Sequence, residues 1–439
     1  MAEGLPHDES IDGRHERRPA EHAADAHRTK VMLLGSGEFS KEMAIAFQRL
    51  GAEVIAVERY ADAPAHGVAD QSLVVNMTDA DELGAAIQRL QPHFVVTASD
   101  VVAADALLAV AETGSARVFP TARCARLTAD REGLRRLAAD QLGLPTAPFW
   151  FAGSLDQLRA VADHAGYPLR VQPVVAVGGE GQSVVLLPPE VESAWQRAVS
   201  AGGRLAHSRV LAETLVEIDF HVTLLTVRGD GPAGPTIEFC APIGHGEAIG
   251  DVQESWQPQD MSVAALDTAK SIAARIVKAL GGRGVFGVEL MVRGDEVYFS
   301  DVTARPFESG LVTVRTQRLS EFELQARAIL GLPTDTIMIS PGAAEVIYAG
   351  NDGPGGPVAG STSGGVLTAA LRAPESDVRV FASPDDDAGR KAARGGVGQS
   401  GRREPEARRP LGVAVVTASD VTTARSRARE VSGALRRLW

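Results

Sequence analysis

Apolar and polar positions follow one another in blocks that predict alternating strands and helices from about residue 30 onward. The run Lys30-Val-Met-Leu-Leu34 predicts a buried strand, and it leads directly into Gly35-Ser-Gly37. Residues 43–50 carry apolar side chains at helical spacing, and residues 53–57 form a second apolar run. The same order repeats as far as residue 97. Such alternation predicts a parallel sheet with helices on both faces, in an α/β domain.

The glycine loop after the first strand has three possible roles. Gly35-x-Gly37 lacks a third glycine at Ser40, so it is a weak dinucleotide fingerprint, although Glu58 ends the second strand where a ribose-binding acid would sit. A tight loop at a helix N-terminus can equally bind a substrate phosphate. It can also simply turn the chain, and the sequence leaves these alternatives open.

From Thr128 the pattern changes to an α+β region with longer strands. Tyr167–Val175 and Ser183–Leu187 predict two strands joined by the glycine loop Val177–Gln182. Val263–Leu280 predicts a long helix, because Gly281-Gly282 follows as a C-terminal stop. The remainder of the chain predicts a smaller, strand-rich portion.

These blocks predict a multidomain protein of mixed α/β and α+β class. The N-terminal segment is polar, holds four of the ten histidines and lacks the apolar stretch of a signal peptide. A Gly/Arg-rich run near the C-terminus is almost free of apolar residues, which predicts a flexible insertion. The predicted units are a disordered tail (1–28), an α/β N-terminal domain (29–127), a central domain (128–338) and a small C-terminal domain (339–439) with a flexible insertion (385–409).

Composition narrows the class of protein and the compartment. The 439 residues are 44% hydrophobic and 23% charged, which is typical of a soluble globular chain. The net charge of -12 argues against nucleic-acid and anionic-membrane partners, since both attract basic surfaces. Cys124 and Cys240 are too few for a disulfide framework, so we expect a cytoplasmic protein. Since no apolar run approaches eighteen residues, no transmembrane helix is predicted.

The most informative segment is a predicted β-hairpin with one carboxylate on each strand. The apolar runs Val288–Val292 and Val297–Val302 are joined by the polar turn Arg293–Glu296. Glu289 lies on the first strand and Asp301 on the second. Two facing carboxylates suit Mg²⁺, which combines carboxylate ligands with phosphate oxygens. The alternative is that the two acids merely lie near strand ends. A further acid and an arginine follow immediately in residues 303–310, and they favour the metal site.

Several segments together resemble the formate-dependent phosphoribosylglycinamide formyltransferases, which are ATP-grasp enzymes. The resemblance extends from Lys30 to the C-terminus, apart from the insertion, and Glu254-Ser-Trp-Gln-Pro258 is its most specific part. The other matching runs are Gly35–Glu38, Asp130–Gly133, Asp219–Phe220, Thr223–Val227 and Phe286–Leu290.

The resemblance implies a Rossmann-like N-terminal domain, a central ATP-grasp domain and a small strand-rich C-terminal domain. It also implies a homodimer and ATP- and Mg²⁺-dependent chemistry. ATP would phosphorylate formate, and the amine of glycinamide ribonucleotide would attack the formyl phosphate. The implied metal ligands are Glu289 and Asp301. The implied ATP-binding residues are Arg131, Gln172, Gly178, Gly179, Gly181, Gln182, Glu213, Val216 and His221. The implied substrate-binding residues are Glu38, Phe39, Asp100, Glu308, Arg408 and Arg409; the two arginines would hold the 5′-phosphate, or belong only to a basic loop.

The chain departs from the family pattern at the phosphate-binding positions. The family places lysines where this chain has Gln172 and Glu180, and a lysine that reaches a phosphate makes a charge-assisted hydrogen bond. Arg170 lies two residues before Gln172, so on a strand it faces the same side and can reach the phosphates, unless it faces solvent at the strand edge. The family has an acid at His221 and a lysine at Ser383.

These departures keep two alternatives beside formyl transfer to glycinamide ribonucleotide. One is an ATP-grasp ligase redirected to another pair of carboxylate and amine substrates, which fits changes at implied substrate positions. The other is a catalytically lapsed paralogue that keeps the fold and binds a nucleotide without turning it over.

Overall fold

The structure is a computed structural model that describes residues 29–99, 102–174, 181–201, 209–246, 251–349, 363–381 and 410–439. The predicted disordered tail and the predicted flexible insertion lie outside these ranges. Among the described residues, no helix combines the length and the apolar character that crossing a membrane would require.

A five-stranded parallel sheet forms the first part of the chain, as the alternating pattern predicted. Its strand order is β3-β2-β1-β4-β5. The backbone N–H of Ser36 donates to Glu58 Oε2 at 3.0 Å, so this acid holds the glycine loop in place. The elements are β1 (Lys30–Leu34), α1 (Glu38–Arg49), β2 (Glu53–Glu58), β3 (Gln71–Val74), α2 (Ala80–Leu90), β4 (Phe94–Thr97), α3 (Ala104–Thr113), β5 (Arg117–Phe119), α4 (Ala122–Ala129) and α5 (Arg131–Arg136).

A small four-stranded sheet follows, with strand order β6-β9-β7-β8. Its two helices cover one face only, because Leu169 and Val171 of β7 pack into a core with Leu158 and Ala194. The opposite face of the sheet is left to line a cleft. The elements are β6 (Phe149–Ala152), α6 (Leu155–Ala165), β7 (Leu169–Pro173), β8 (Ser183–Val185), α7 (Val191–Ala201) and β9 (Val210–Thr214).

A nine-stranded sheet, antiparallel at every pairing, occupies the rest of the structure. Its order is β15-β14-β10-β12-β13-β16-β18-β17, and β11 pairs with β10. The strands are β10 (Phe220–Gly231), β11 (Gly234–Phe239), β12 (Ile243–His245), β13 (Val252–Gln257), β14 (Gly284–Arg293), β15 (Glu296–Thr303), β16 (Gly342–Tyr348), β17 (Ser376–Val380) and β18 (Pro410–Thr417). The helices are α8 (Val263–Leu280), α9 (Thr313–Thr316), α10 (Glu321–Leu330), α11 (Ser363–Ala370) and α12 (Val421–Leu435).

Helix α8 has the bounds that the sequence predicted, because both ends carry strong local signals. Ser262 caps the first turn by accepting a hydrogen bond from Ala265 N, and Gly281 ends the helix at a φ of 77°. Ile272 and Ile276 pack against the carboxylate hairpin of β14 and β15. The helix therefore supports the hairpin from behind.

The large sheet runs without a break from the central part of the chain into the C-terminal part. Strand β13 pairs with β16, and β16 pairs with β18. The C-terminal part contributes three strands together with helices α11 and α12. A boundary near residue 339 would cut a continuous sheet, and the domain limits remain a prediction.

The Glu254–Pro258 segment ties this sheet to the C-terminal helix. Glu254 accepts two hydrogen bonds from Arg425, at 3.0 and 2.7 Å, and others from Arg429. The Arg425 guanidinium stacks over the Trp256 ring at 3.9 Å. Burial alone would raise the pKa of Glu254, but the two arginines outweigh it and hold that pKa below its ordinary range. The pentapeptide is therefore explained by contacts more than 150 residues away in sequence.

Candidate active site

A cleft of about 200 Å³ lies between the small sheet and the carboxylate hairpin, beside helix α5. Strands β7 and β9 form one wall, and strands β14 and β15 form the other. We call it the intersheet cleft. Its lining residues are Arg131, Leu134, Arg135, Arg170, Gln172, Gln182, Leu211, Glu213, Glu289, Ser300 and Asp301.

The hairpin wall holds the two predicted metal ligands directly opposite each other. Glu289 pairs with Asp301 in the β14–β15 register, next to a β-bulge between Glu289 and Leu290. Burial raises the pKa of Glu289, and the charges of Asp301 and Glu308 raise it further. The charge of Arg131 acts in the opposite direction, and the pKa of Glu289 is about 7. Burial also raises the pKa of Asp301, against the hydrogen bond from its neighbour's N–H and the charges of two arginines.

The chemistry of the two facing carboxylates is compatible with a bound cation. Burial and the repulsion between two adjacent carboxylates disfavour their charged forms, and the charge of nearby Arg131 offsets only part of this effect. Hard carboxylate oxygens are the ligands that Mg²⁺ takes, together with phosphate oxygens and water. The residues present therefore fit a divalent cation of this kind.

The opposite wall carries a buried ion pair. Glu213, which is 3% exposed, is paired with Arg135, which is 6% exposed. Gln172 Nε2 donates to Glu213 Oε2 at 3.0 Å, and Arg135 Nη1 donates to the Phe299 carbonyl at 3.3 Å. Arg135 thus connects the two walls, because Glu213 belongs to β9 and Phe299 to β15. The arrangement fixes the width of the cleft at this point.

A pair of histidines lies farther along the large sheet. His221 on β10 is directly opposite His245 on β12, with ring centroids 5.9 Å apart and planes 20° from parallel. Burial, and then the charge of His221, lower the pKa of His245 to about 4, so this ring is neutral near pH 7. Thr223 pairs with Glu289, and His221 is two residues before Thr223, so the histidines share the face of the hairpin carboxylates.

The structure brings together most of the described residues that the sequence assigned to ATP and metal. The six that line the intersheet cleft are Arg131, Gln172, Gln182, Glu213, Glu289 and Asp301. Gly181 begins the segment that leads into β8; its φ is 73°, and a Cβ there would meet the Ala201 Cβ at 2.5 Å. His221 lies on the same sheet face without lining the cleft, and Val216 lies in the coil after β9.

The predicted substrate residues are more scattered. Glu38 is the first residue of α1, and Phe39 packs against the rings of Phe322 and Phe381 at 6.1 and 6.2 Å. Glu308 is exposed, and its charge reaches both Glu289 and Glu321. Five of the assigned residues lie outside the described ranges: Asp100, Gly178, Gly179, Arg408 and Arg409. Glu180 and Ser383, where the chain departs from the family pattern, also lie outside them.

Sequence reasoning missed the part of Arg135 in the cleft. The signal was available, because Arg135 follows Arg131 by four residues and therefore lies on the same helix face. Leu134, Leu211 and Ser300 were also missed. A leucine or serine carries no chemical signal, so only the fold identifies these three as lining residues.

Comparison with known proteins gives the family. The model of the ATP-grasp domain matches residues 137–322, and that of the ribonucleotide synthetase preATP-grasp domain matches residues 28–128. The chain is 49% identical to the formate-dependent phosphoribosylglycinamide formyltransferase of Corynebacterium glutamicum, over 93% of this chain and 94% of that protein. The chain belongs to this formyltransferase family. The protein of the same name from Rhodococcus jostii is 50% identical over 92% of this chain and 94% of its own length.

Solved structures agree with membership of the formyltransferase family. A glycinamide transformylase T from Mycobacterium tuberculosis is 57% identical to this chain; its TM-score is 0.75, and the match covers 92% of this chain and 99% of that one. The ADP complex of an N5-carboxyaminoimidazole ribonucleotide synthetase has a TM-score of 0.73 at 20% identity, over 92% of this chain and 96% of that one. At that identity the second likeness concerns the fold alone. The predicted fold class, with a Rossmann-like domain followed by an ATP-grasp domain, is confirmed.

Proposed function

We propose that this protein is an ATP- and Mg²⁺-dependent enzyme that transfers a formyl group from formate to glycinamide ribonucleotide. The observation that carries the proposal is the half-buried pair of Glu289 and Asp301, which lie directly opposite each other on the hairpin in a cleft lined by arginines. Relatives that are about half identical in sequence to this chain, over more than 90% of both chains, are named for this activity.

The chain's own residues divide the work in the intersheet cleft. Glu289 and Asp301 would hold Mg²⁺, and the bound ion supplies positive charge against phosphate oxygens. Arg131 lies beside both carboxylates and donates to the Pro173 carbonyl at 2.9 Å, which leaves other donors of its guanidinium for a phosphate. Glu213, held by Arg135 and Gln172, offers acceptor oxygens at the wall where the adenine is expected.

The reaction has two balanced steps. A formate oxygen attacks the γ-phosphorus of ATP, the bond to the bridging oxygen breaks, and ADP leaves with formyl phosphate as the other product. The amine of glycinamide ribonucleotide then attacks the formyl carbon, phosphate leaves, and the amine loses a proton. Water would hydrolyse formyl phosphate, so the reaction needs a site from which water is excluded while the intermediate is present.

The small-molecule substrates are therefore ATP, formate and glycinamide ribonucleotide. Of the substrate residues, we propose that Glu308 lies nearest the reacting groups, because its charge acts on Glu289. Glu38, Phe39, Asp100, Arg408 and Arg409 are proposed for the ribonucleotide on the resemblance alone. A homodimer and a cytoplasmic location also remain proposals that rest on the sequence.

The test is ADP release by the purified protein with Mg²⁺, ATP, formate and glycinamide ribonucleotide. We expect ADP release that requires formate, and formation of the formylated ribonucleotide when the ribonucleotide is also present. Glu289→Ala should abolish it, whereas Glu296→Ala, at the exposed far end of the same hairpin, should not.

Other outcomes separate the alternatives. ADP release with another carboxylate or amine, and none with these two substrates, would show a redirected ligase. ATP binding without ADP release in any mixture of carboxylates would show a lapsed paralogue.

A further inference from the structure

We propose that Arg170 donates hydrogen bonds to the phosphate groups of the bound nucleotide, from the strand position next but one to Gln172. This inference deepens the proposed function and rests on it. It assigns a binding residue on the wall of the intersheet cleft that faces Glu289 and Asp301.

The alternation of β7 places Arg170 in the cleft. Leu169 and Val171 are each 1% exposed and pack into the core under helices α6 and α7. Residues 170 and 172 therefore point to the other face of the sheet, and both line the cleft. Arg170 is also directly opposite Glu213 in the β7–β9 register, so its Cα lies beside the buried ion pair. The alternative of a solvent-facing arginine at the strand edge does not fit this position.

Arg170 differs from the other two cleft arginines, because the described residues provide no partner for its Nε. Arg131 donates to the Pro173 carbonyl, and Arg135 is paired with Glu213. The Nε of Arg170 is buried, and within the described ranges of the chain no acceptor is in reach of it. A buried donor without a partner costs free energy, and a ligand that supplies an acceptor recovers that cost. The unpaired donor therefore points to an anionic group that binds in the cleft.

The charges of the cleft favour a phosphate as that group. Arg135 and Glu213 neutralise each other as an ion pair. Arg131 and Arg170 then balance Glu289 and Asp301, so a bound Mg²⁺ leaves an excess of about two positive charges on the lining groups. A polyphosphate chain that reaches both the ion and Arg170 matches that excess.

The side chain is suited to the task that Gln172 cannot perform. Gln172 is 8% exposed, carries no charge, and its amide already donates to Glu213. An arginine guanidinium keeps its charge when buried and presents two parallel N–H groups to phosphate oxygens. The wall thus retains a cation two residues from the uncharged position.

The test compares nucleotides that differ only in phosphate content. Affinities of wild type and Arg170→Met for ATP, ADP, AMP and adenosine are measured by isothermal titration with Mg²⁺. We expect Arg170→Met to weaken ATP and ADP by roughly 10- to 100-fold and to leave adenosine within about twofold, because only the charged hydrogen bonds are lost. Arg170→Lys should recover part of the ATP affinity.

A matched control removes an arginine of the same small-sheet unit outside the cleft. Arg159 is exposed on α6 and pairs with Asp156 and Glu192, and Arg159→Met should bind all four ligands as the wild type does. Equal weakening of adenosine and ATP in Arg170→Met would show a structural role and overturn the inference. Unchanged ATP affinity would overturn it while leaving the formyltransferase proposal intact. A wild type that binds no ATP would overturn both.

Discussion

Replacing Glu289 by glutamine should change how the stability of the protein depends on pH. The pKa of Glu289 in the folded chain is about 7, above its ordinary value of 4.5, so folding favours the protonated carboxyl. The stability that this group contributes is fully present below pH 4.5 and is lost as the pH rises through 7. Glu289→Gln cannot ionise, so this part of the pH dependence should disappear.

The size of the effect follows from the change in proton affinity. Moving a pKa from 4.5 to about 7 corresponds to about 3 kcal/mol, at about 1.4 kcal/mol per tenfold change in affinity. For a unit the size of the matched ATP-grasp segment, that free energy corresponds to a difference of roughly 6–12 °C in Tm. The Asp301 carboxyl, whose pKa is also raised, adds to the same trend.

The assay is thermal unfolding of wild type and Glu289→Gln, with and without Mg²⁺, between about pH 5 and pH 8. Without Mg²⁺, the Tm of the wild type should fall more steeply with rising pH than that of the variant. Mg²⁺ should restore the wild type most strongly at the alkaline end, since the ion binds the ionised carboxylates. Glu296→Gln is the control, because Glu296 is exposed at the far end of the hairpin. Equal pH dependence of Tm in wild type and Glu289→Gln would refute the reasoning.

Three further outcomes follow from the structure. Gln172→Lys should tighten ATP binding about tenfold or more in titration calorimetry, because it adds a cation to the cleft; unchanged or weaker binding would contradict this. Arg135→Met should lower the free energy of unfolding, measured in urea, by about 3–5 kcal/mol, because Glu213 would stay buried without its partner. Arg159→Met, at an exposed arginine, should lower it by less than about 1 kcal/mol. Cys124 and Cys240 should resist iodoacetamide at pH 8 in the native protein and react in urea, because burial raises both pKa values to about 12; rapid native labelling would disprove it.

Local signals in the sequence were enough for the elements that carry the site. Ser262 and Gly281 fix the ends of α8, and alternation along β14 and β15 puts Glu289 opposite Asp301. The same alternation placed Arg170 and Gln172 on one face of β7. These features depend on residues close together in the chain, where capping and periodicity act.

Features that join distant segments were out of reach of such signals. The ion pair between Glu254 and Arg425 spans 171 residues, and the sequence near either residue does not predict the other as its partner. The continuity of the large sheet depends on β13 pairing with β16, which no local pattern encodes. That no acceptor among the described residues reaches Arg170 Nε is likewise visible only in three dimensions.

The order of strands at the C-terminal edge of the large sheet has a consequence for synthesis on the ribosome. Strand β18 lies between β16 and β17, although it follows both of them in the chain. Until residues 410–417 have left the ribosome, β16 presents an unpaired edge and β17 has no neighbour in the sheet. A nascent chain can complete its parallel sheet early, but this edge stays open until β18 has been made. Chains stalled before β18 should therefore be the ones that depend most on chaperones.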